Sequence, residues 1–312
     1  MPAGTNTGMN REQWLAERRK SLGGSDAAAI MGLNPYATPY TVWADKTGRL
    51  PEQEDNEAMR QGRDLEEYVA QRFTEETGRK CRRKNRILRN LAYPFAHANV
   101  DRWIQGENAG LECKTTKSLN MKRFQGGEYP DTYYCQCVHY MAVTGADRWY
   151  LAVLVLGAGF YVFTIERDEK EIQALMDSEQ LFWESYVERD APPPVDGLEP
   201  TTEALNVIYK DTSEGQPILL FGREAMLQEY FRLKNLLNDL TRQKNCIEQQ
   251  LKEDMGKMEQ AKCANYTISW RQQVRSSLDV EALIKDHPDL DLSLYHKTTT
   301  FRTFKVKEMN EI

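Results

Sequence analysis

Two acid-x-Lys triplets have the residue types needed to hold a metal ion beside a reactive water, Glu112-Cys113-Lys114 and Asp168-Glu169-Lys170. The second triplet begins a predicted helix, which favours a surface position. The first lies on a predicted strand, where side chains alternate between the two faces. Glu112 and Lys114 should therefore share one face and Cys113 take the other, which makes the first triplet the stronger candidate.

A predicted β-hairpin brings a second acid to this triplet. Its arms are 99–104 and 110–115, and a symmetric turn centred between Gly106 and Glu107 places Asp101 opposite Glu112. Cross-strand neighbours lie roughly 5 Å apart at Cβ, and two carboxylates that close repel unless a cation lies between them. Hard oxygen ligands suit Mg²⁺ or Mn²⁺. Lys114 could orient or deprotonate a water, or stabilise charge on a phosphate. A surface cluster of Asp, Glu and Lys is the alternative, and the hairpin geometry favours the metal site.

Two more polar side chains fall on apolar helix faces. Glu66 lies beside the apolar stripe of a helix predicted over 57–77, where an unpaired carboxylate is unfavourable. A metal ion would resolve this, and so would a salt bridge to an arginine. Gln136 shares a helical face with aromatic and apolar residues. That environment is more typical of an ordinary buried amide than of a catalytic group.

The elements around these residues alternate between helix and strand. Ser25 or Asp26 is predicted to cap a helix after the Gly23-Gly24 turn. Alternating helices and strands predict an α/β fold, a central mixed sheet flanked by helices. Further helices are predicted over 11–20, 40–47, 132–144 and 169–188, and further strands over 79–90, 149–156 and 160–165.

The chain is predicted to have two parts joined by a linker. Prolines 192–194 break any helix and stiffen the chain, so we predict a first domain over 1–190, a linker over 191–221 and a C-terminal region over 222–312. Apolar residues at heptad spacing from Met226 to Leu251, interrupted by Lys244, predict a coiled-coil-like or antiparallel helical arm. A small α+β appendage follows, with strands over 266–274 and 298–306 and a helix over 280–286. The arm could drive oligomerisation, hold a protein partner or pack on its own domain.

Charge and cysteine content narrow the protein classes. The net charge of −6 does not by itself suggest a nucleic-acid binder, but residues 60–123 carry 15 Lys and Arg against 8 Asp and Glu. Seven of these basic residues lie within 79–89, either as a polyanion site or as a solvated basic face. The six cysteines include no C-x-x-C pair, which disfavours a disulfide framework, a zinc site and an iron–sulfur cluster.

Hydropathy predicts a cytoplasmic protein. No apolar run approaches the length of a membrane span. The polar residues 1–10 lack the apolar core of a signal peptide. We therefore expect no membrane partner.

Seven short motifs occur in order along the chain: Trp14-Leu15-Ala16-Glu17-Arg18, Gly23-Gly24-Ser25-Asp26-Ala27-Ala28, Gly32-Leu33-Asn34-Pro35-Tyr36, Gly62-Arg63-Asp64-Leu65-Glu66, Ala98-Asn99-Val100-Asp101, Leu111-Glu112-Cys113-Lys114 and Tyr134-Cys135-Gln136-Cys137-Val138-His139-Tyr140. Together they resemble the YqaJ family of phage-type recombination nucleases, and the resemblance spans roughly residues 14–187. That family is similar to phage lambda exonuclease, with a restriction-endonuclease-like PD-(D/E)xK core. The resemblance implies a bacterial host or a phage-infected cell.

The resemblance implies a role for each candidate residue. Asp101 and Glu112 resemble the metal-binding acids, with Glu66 the helical acid near the metals. Lys114 resembles the catalytic lysine beside the attacking water, and Gln136 the glutamine at the edge of that site. The residues that resemble those holding the terminal 5′ phosphate are Arg18 and Ser25.

The resemblance also implies an activity and partners. One or two Mg²⁺ ions, or Mn²⁺, would support phosphodiester hydrolysis that degrades one strand of duplex DNA from a 5′ end. A ring-shaped trimer around DNA and a phage single-strand annealing protein are implied as well. An endonuclease using the same centre is an alternative. A non-catalytic scaffold that binds DNA ends is another, although the intact set of acids and lysine disfavours it.

Overall fold

A computed structural model gives the structure of the chain, which divides into two compact units. One unit is formed by Met1–Asp211 with Phe301–Ile312, and the other by Thr212–Thr300. The residues described are 16–52, 55–84, 86–117, 121–212, 217–287, 292, 295 and 302–306. Among them, no helix is both long and apolar enough to cross a membrane.

The strands of the first unit are β1 (Cys81–Arg83), β2 (Leu88–Asn90), β3 (Tyr93–Ala98), β4 (Arg102–Ile104), β5 (Ala109–Thr116), β6 (Arg148–Val155) and β7 (Gly159–Glu166). Five of them form the central sheet, in the order β1-β4-β5-β6-β7. Strand β5 pairs antiparallel with β4 and parallel with β6 over its whole length, while β6 pairs antiparallel with β7. The predicted central mixed sheet is therefore confirmed.

The helices of this unit are α1 (Gly24–Ile30), α2 (Pro39–Lys46), α3 (Glu57–Thr77), α4 (Met121–Gln125), α5 (Asp131–Thr144), α6 (Glu169–Phe182) and α7 (Glu199–Ile208). Residues 16–19 are also helical. A parallel pair of strands such as β5 and β6 needs a long crossover, which α4 and α5 supply.

Apolar residues are buried on both faces of the sheet. On one face, Val69 and Phe73 of α3 pack with Leu111 of β5. On the other, Trp149 belongs to a larger cluster that includes α5 and α6. At Gly110 of β5 a Cβ atom would lie 2.2 Å from the Trp149 ring, so the strand needs glycine there for the indole to pack.

The prediction of one strand over 79–90 is wrong. The chain forms β1 in the main sheet and β2 in a separate two-stranded sheet with β3. Between them, the N–H of Arg86 donates to the carbonyl of Lys84 at 2.8 Å, a tight turn that breaks the strand. β1 pairs with β4 at the edge of the main sheet, whereas β2 pairs with β3, so the two halves of the segment have different partners.

The segments after α6 differ from the prediction. The α-helix ends at Phe182 and continues as a π-helical turn, Trp183–Val187. The region predicted as a linker over 191–221 contains α7, in which Thr201 and Ala204 are buried. The hydroxyl oxygens of Thr201 and Thr38 lie 2.8 Å apart, so this part of the segment packs within the first unit.

The second unit contains α8 (Glu224–Met255), a hairpin of β8 (Gln260–Cys263) and β9 (Tyr266–Ser269), and α9 (Val280–Asp286). The predicted helical arm corresponds to α8, and the predicted helix over 280–286 is present as α9. The strand predicted over 266–274 ends at Ser269. Of the strand predicted over 298–306, residues 298–301 lie outside the described residues and 302–306 are not in a strand.

Candidate active site

The β4–β5 hairpin positions the two acids as its sequence predicts. Arg102 pairs with Leu111 and Trp103 with Gly110, so the same register continued by one residue sets Asp101 opposite Glu112. The Asp101 Oδ2 accepts a hydrogen bond from the backbone N–H of Cys113 at 2.9 Å. Asp101 is therefore held across β5, beside the acid-x-Lys triplet.

Glu112 and Lys114 lie on the same face of β5. The Lys114 Nζ is 2.7 Å from the Glu112 Oε1, and the Glu112 side chain is only 4% exposed. Lys114 also lies with its Nζ 5.2 Å from the centroid of the Tyr133 ring. The triplet thus forms a buried ion pair, unlike the second triplet, where Asp168 caps α6 by accepting from the backbone N–H groups of Lys170 and Glu171.

Gln136 joins this pair from helix α5. Its Oε1 accepts from the Lys114 Nζ at 2.8 Å, and its Nε2 lies 2.8 Å from the Glu112 Oε1. The same Nε2 is 2.8 Å from the Tyr140 Oη, one turn further along α5. Sequence reasoning from the helix face favoured an ordinary buried amide, whereas the structure places Gln136 in contact with both charged groups.

Glu66 meets an arginine. The Arg102 Nη1 donates to the Glu66 Oε1, and the Arg102 Nη2 donates to Glu67 at 3.0 Å. The Arg102 side chain is only 3% exposed. Of the two partners that the sequence allowed for Glu66, the structure has the salt bridge. Among the described residues, no three His, Cys, Asp or Glu side chains are grouped as a ready metal site.

Sequence reasoning did not single out Arg102. The available signal was its position directly after Asp101 on an arm of the predicted hairpin. Glu67, the second partner of Arg102, was not singled out either. Both pairings require α3 to pack on the sheet, which depends on long-range contacts.

Burial and like charge act together on the two acids. The pKa of Asp101 is raised well above its usual range, first by burial and then by the charges of Glu112 and Glu66. The pKa of Glu112 is also raised, because burial outweighs the opposing effect of Lys114. Burial alone would lower the pKa of Lys114, but the Glu112 charge and hydrogen bond outweigh it and raise that pKa. Lys114 is therefore protonated at neutral pH.

One atom of this cluster lacks a partner. The Glu112 Oε2 is buried and accepts no hydrogen bond from the described residues, which is costly for a carboxylate oxygen. With Asp101 opposite, two carboxylates face one lysine, so the cluster carries excess negative charge. A divalent cation that prefers oxygen ligands would satisfy the orphaned oxygen and reduce the repulsion between the acids. The residues present thus fit a Mg²⁺ or Mn²⁺ ion held by Asp101 and Glu112. Glu66 could join through its second oxygen, Oε2, because the hydrogen bond from Arg102 goes to Oε1.

Arg18 and Ser25 come together at the start of helix α1. The Arg18 Nη2 is 3.5 Å from the Ser25 Oγ. The predicted cap at Ser25 or Asp26 is wrong, because the N-cap residue is Gly23. Asp26 still accepts from the Gly23 N–H at 2.8 Å and pairs with the buried Lys46 Nζ at 2.6 Å. This leaves the Ser25 hydroxyl in the first turn of α1, beside Arg18.

Helix α1 is joined to the acidic cluster through α5. A Cβ atom at Gly24 would lie 2.6 Å from the Tyr140 ring and 3.0 Å from the Gln136 Cγ. Only glycine lets α1 approach α5 this closely. Ser25 therefore follows directly after a residue that contacts the Gln136 side chain.

The basic segment 79–89 has two kinds of residue. Three of its arginines form ion pairs: Arg79 with Glu107, Arg83 with Glu67 and Arg89 with Glu17. Lys84 is half-buried, with its Nζ 3.9 Å from the centroid of the Trp103 ring, whereas Lys80, Arg82 and Arg86 are exposed. Arg82 and Trp103 line a surface depression there together with residues 104–108. Part of the segment is thus structural, and part is a basic surface.

Comparisons with known proteins find a family model and a relative that match this chain. Residues 13–147 match the family model of the YqaJ-like viral recombinase domain, a range that contains every candidate residue above. The uncharacterized protein YqaJ of Bacillus subtilis (strain 168) is 38% identical over 309 residues, covering 98% of this chain and 97% of that protein.

Solved structures with a similar backbone are more distant. An alkaline exonuclease, LHK-Exo, from Laribacter hongkongensis is 20% identical, with a TM-score of 0.49 over 57% of this chain and 93% of its own. A phage-related exonuclease from Haemophilus somnus 129PT is 12% identical, with a TM-score of 0.42 over 55% of this chain and 96% of its own. At these scores the structural similarities add nothing about activity. It is the identity to YqaJ along nearly the whole of both chains that shows the relationship: this protein belongs to the YqaJ-like viral recombinase family.

Proposed function

We propose that this protein is a metal-dependent deoxyribonuclease that degrades one strand of duplex DNA from its 5′ end to produce single strands for recombination. The observation that carries the proposal is the cluster of buried Glu112 with half-buried Asp101, Lys114 and Gln136, and its orphaned carboxylate oxygen. Family membership supports the recombination role, and the acids with the charged lysine support hydrolysis of a phosphodiester.

Each side chain has a role that its geometry suits. Bound Mg²⁺ would act as a Lewis acid on the phosphate and lower the pKa of a water. Asp101 and Glu112 would supply its protein ligands. Lys114 is held by Glu112 at 2.7 Å and by Gln136 at 2.8 Å. Because it is protonated, it suits hydrogen bonding to the attacking water or the phosphate oxygen better than removing a proton.

The 5′ polarity rests on a second cluster. A guanidinium and a hydroxyl, as in Arg18 and Ser25, can bind a terminal phosphate through charge-assisted hydrogen bonds. We propose that this pair binds the 5′ phosphate of the strand being degraded. The ring-shaped trimer and the annealing-protein partner remain predictions from the family resemblance.

A substrate panel tests the proposal. The protein with Mg²⁺ is incubated with 5′-phosphorylated linear duplex, with linear duplex bearing a 5′ hydroxyl, and with closed circular duplex. We expect mononucleotides from the first, slower release from the second and no cutting of the third. Cutting of circles would favour the endonuclease. Binding of ends without cleavage under Mg²⁺ or Mn²⁺ would favour the scaffold and refute the nuclease.

The variant Lys114→Ala tests the role of the lysine. Loss of a charged group that contacts the attacking water or the phosphate should lower the cleavage rate on the order of 10²-fold or more, whereas DNA binding should be largely retained. Full activity in this variant would remove Lys114 from the mechanism.

A further inference from the structure

Helix α8 presents a long apolar stripe to solvent. Of its 32 residues, Glu224–Met255, only Phe231 is half-buried and only Met255 is buried. Helices in proteins are stabilised mostly by packing of an amphipathic face rather than by intrinsic propensity. A helix about 48 Å long, at 1.5 Å per residue, with an uncovered apolar stripe therefore calls for a partner.

The stripe has the heptad repeat of a coiled coil. Apolar side chains recur at alternating steps of four and three residues, which are the d and a positions of a heptad. The d positions are Met226, Leu233, Leu240 and Ile247, and the a positions are Tyr230, Leu237, Lys244 and Leu251. The exposed fractions at the centre are 48% for Leu233, 64% for Leu237 and 51% for Leu240. A surface of this shape is complementary to a second copy of itself.

The charges flanking the stripe fit parallel pairing. In a parallel coil, each g residue faces the e residue five positions later on the partner helix. Glu229 at g and Lys234 at e have this spacing and opposite charge. The remaining g–e pairs, Leu236 with Thr241, Gln243 with Glu248 and Gln250 with Met255, bring no like charges together. Antiparallel pairing joins g with g and would not place Glu229 beside Lys234.

Lys244 is the one charged residue in the stripe. Its Nζ is 2.9 Å from the Glu248 Oε1 of the same helix, so its charge is directed away from the seam while its methylenes can pack there. A single polar a position is tolerated in coiled coils and selects register and oligomeric state at some cost in stability.

From these observations we propose that α8 packs against α8 of a second copy of this chain, as a parallel, in-register coiled coil. The proposal does not depend on the nuclease activity. It gives the C-terminal region the task of joining two copies of the protein.

The first test is the mass of the full-length chain in solution by light scattering. The double variant Leu233→Asp/Leu240→Asp places charges in the seam. The matched control, Asn235→Asp/Gln249→Asp, adds the same charge on the opposite face of the helix. We expect the control to keep the wild-type mass and the seam variant to have a smaller one. Equal masses for the two variants would overturn the proposal and leave α8 to a different partner.

A second test uses disulfide cross-linking of introduced cysteines. In a Cys246→Ser/Cys263→Ser background, Leu233→Cys places a thiol in the seam near one end of the helix, and Asn235→Cys places one outside it. Parallel, in-register pairing predicts a covalent dimer under mild oxidation for Leu233→Cys, at least tenfold more than for Asn235→Cys. Equal yields would rule out the parallel seam, and the reducible band separates this result from aggregation.

Discussion

Replacing Asp101 by Asn should stabilise the metal-free protein while abolishing its response to Mg²⁺. Asp101 lies opposite Glu112, and its carboxylate accepts from the Cys113 N–H at 2.9 Å. The asparagine Oδ1 can accept the same hydrogen bond, so the substitution removes the charge and keeps the contact. What changes is the repulsion between two buried acids.

The magnitude follows from the separation of the charges. Taking the Cβ spacing of cross-strand neighbours, roughly 5 Å, as the charge separation, two like charges at an effective dielectric constant of about 20 repel by about 3 kcal/mol. Lys114 offsets part of this, since its Nζ is 2.7 Å from Glu112. We therefore expect the free energy of unfolding of Asp101→Asn in EDTA to exceed that of the wild type by about 1–3 kcal/mol. The raised pKa of Asp101 has the same sign, because the folded state disfavours the ionised form.

The assay is urea unfolding followed by tryptophan fluorescence, with EDTA and with excess Mg²⁺. Saturation at about 100 times Kd should stabilise the wild type by about 2.7 kcal/mol and the variant much less. Asp239→Asn, on the exposed face of α8, is the charge-matched control and should change neither value. A less stable Asp101→Asn protein in EDTA, or equal stabilisation of both proteins by Mg²⁺, would refute this account of the site.

Three other changes probe the packing around the site. Arg102→Met should lower the free energy of unfolding by about 1–3 kcal/mol in urea titrations, less than for a fully buried pair because its partner Glu66 is 30% exposed. Gly110→Ala should cost about 1–3 kcal/mol or more, since its Cβ would lie 2.2 Å from the Trp149 ring. The pKa of His97 is lowered from 6.5 to about 3 in the folded protein, mainly by burial. As the pH falls, His97 is therefore protonated in the unfolded chain before it is protonated in the folded one. The free energy of unfolding should be unaffected by this group above about pH 6.5 and fall by about 1.4 kcal/mol per pH unit below it, measured by urea titrations at several pH values.

Two of these have a control variant, and each has an outcome that would contradict it. Gly62→Ala, at an open helical position where the nearest atom is 3.9 Å from the new Cβ, should stabilise by about 0.5–1 kcal/mol. The opposite order of Gly62→Ala and Gly110→Ala would contradict the packing described at Trp149. His97→Gln should flatten the acid dependence, and an unchanged slope would assign it to other groups. Wild-type stability in Arg102→Met would show that Glu66 and Glu67 do not need its charge.

The local elements were predictable from the sequence because their determinants are close together in the chain. The helix over 57–77 was predicted with its observed bounds, since Gly78 follows it with φ of 72° and ends it. The β4–β5 hairpin followed from alternation and turn length, and these fix a register without reference to the rest of the fold. That register is what placed Asp101 opposite Glu112.

The basic segment shows where local reasoning fails. Its composition suggested a single strand, but β1 and β2 belong to different sheets. Which sheet a short charged strand joins depends on the edges available to it, and those edges are built by distant residues. The same holds for α7, whose burial of Thr201 and Ala204 depends on contacts across the chain rather than on the preceding prolines.

The sequence by itself determined the chemistry offered by this protein: two acids and a lysine on one hairpin, and a heptad stripe in the C-terminal region. Only the tertiary structure decided the partners of these groups. Packing of α5 on the sheet placed Gln136 in contact with Glu112 and Lys114. Packing of α3 placed Glu66 where it forms a salt bridge with Arg102. The reason is physical: a hairpin is specified by neighbours in the chain, whereas a buried charge is satisfied by whichever polar group long-range packing places beside it.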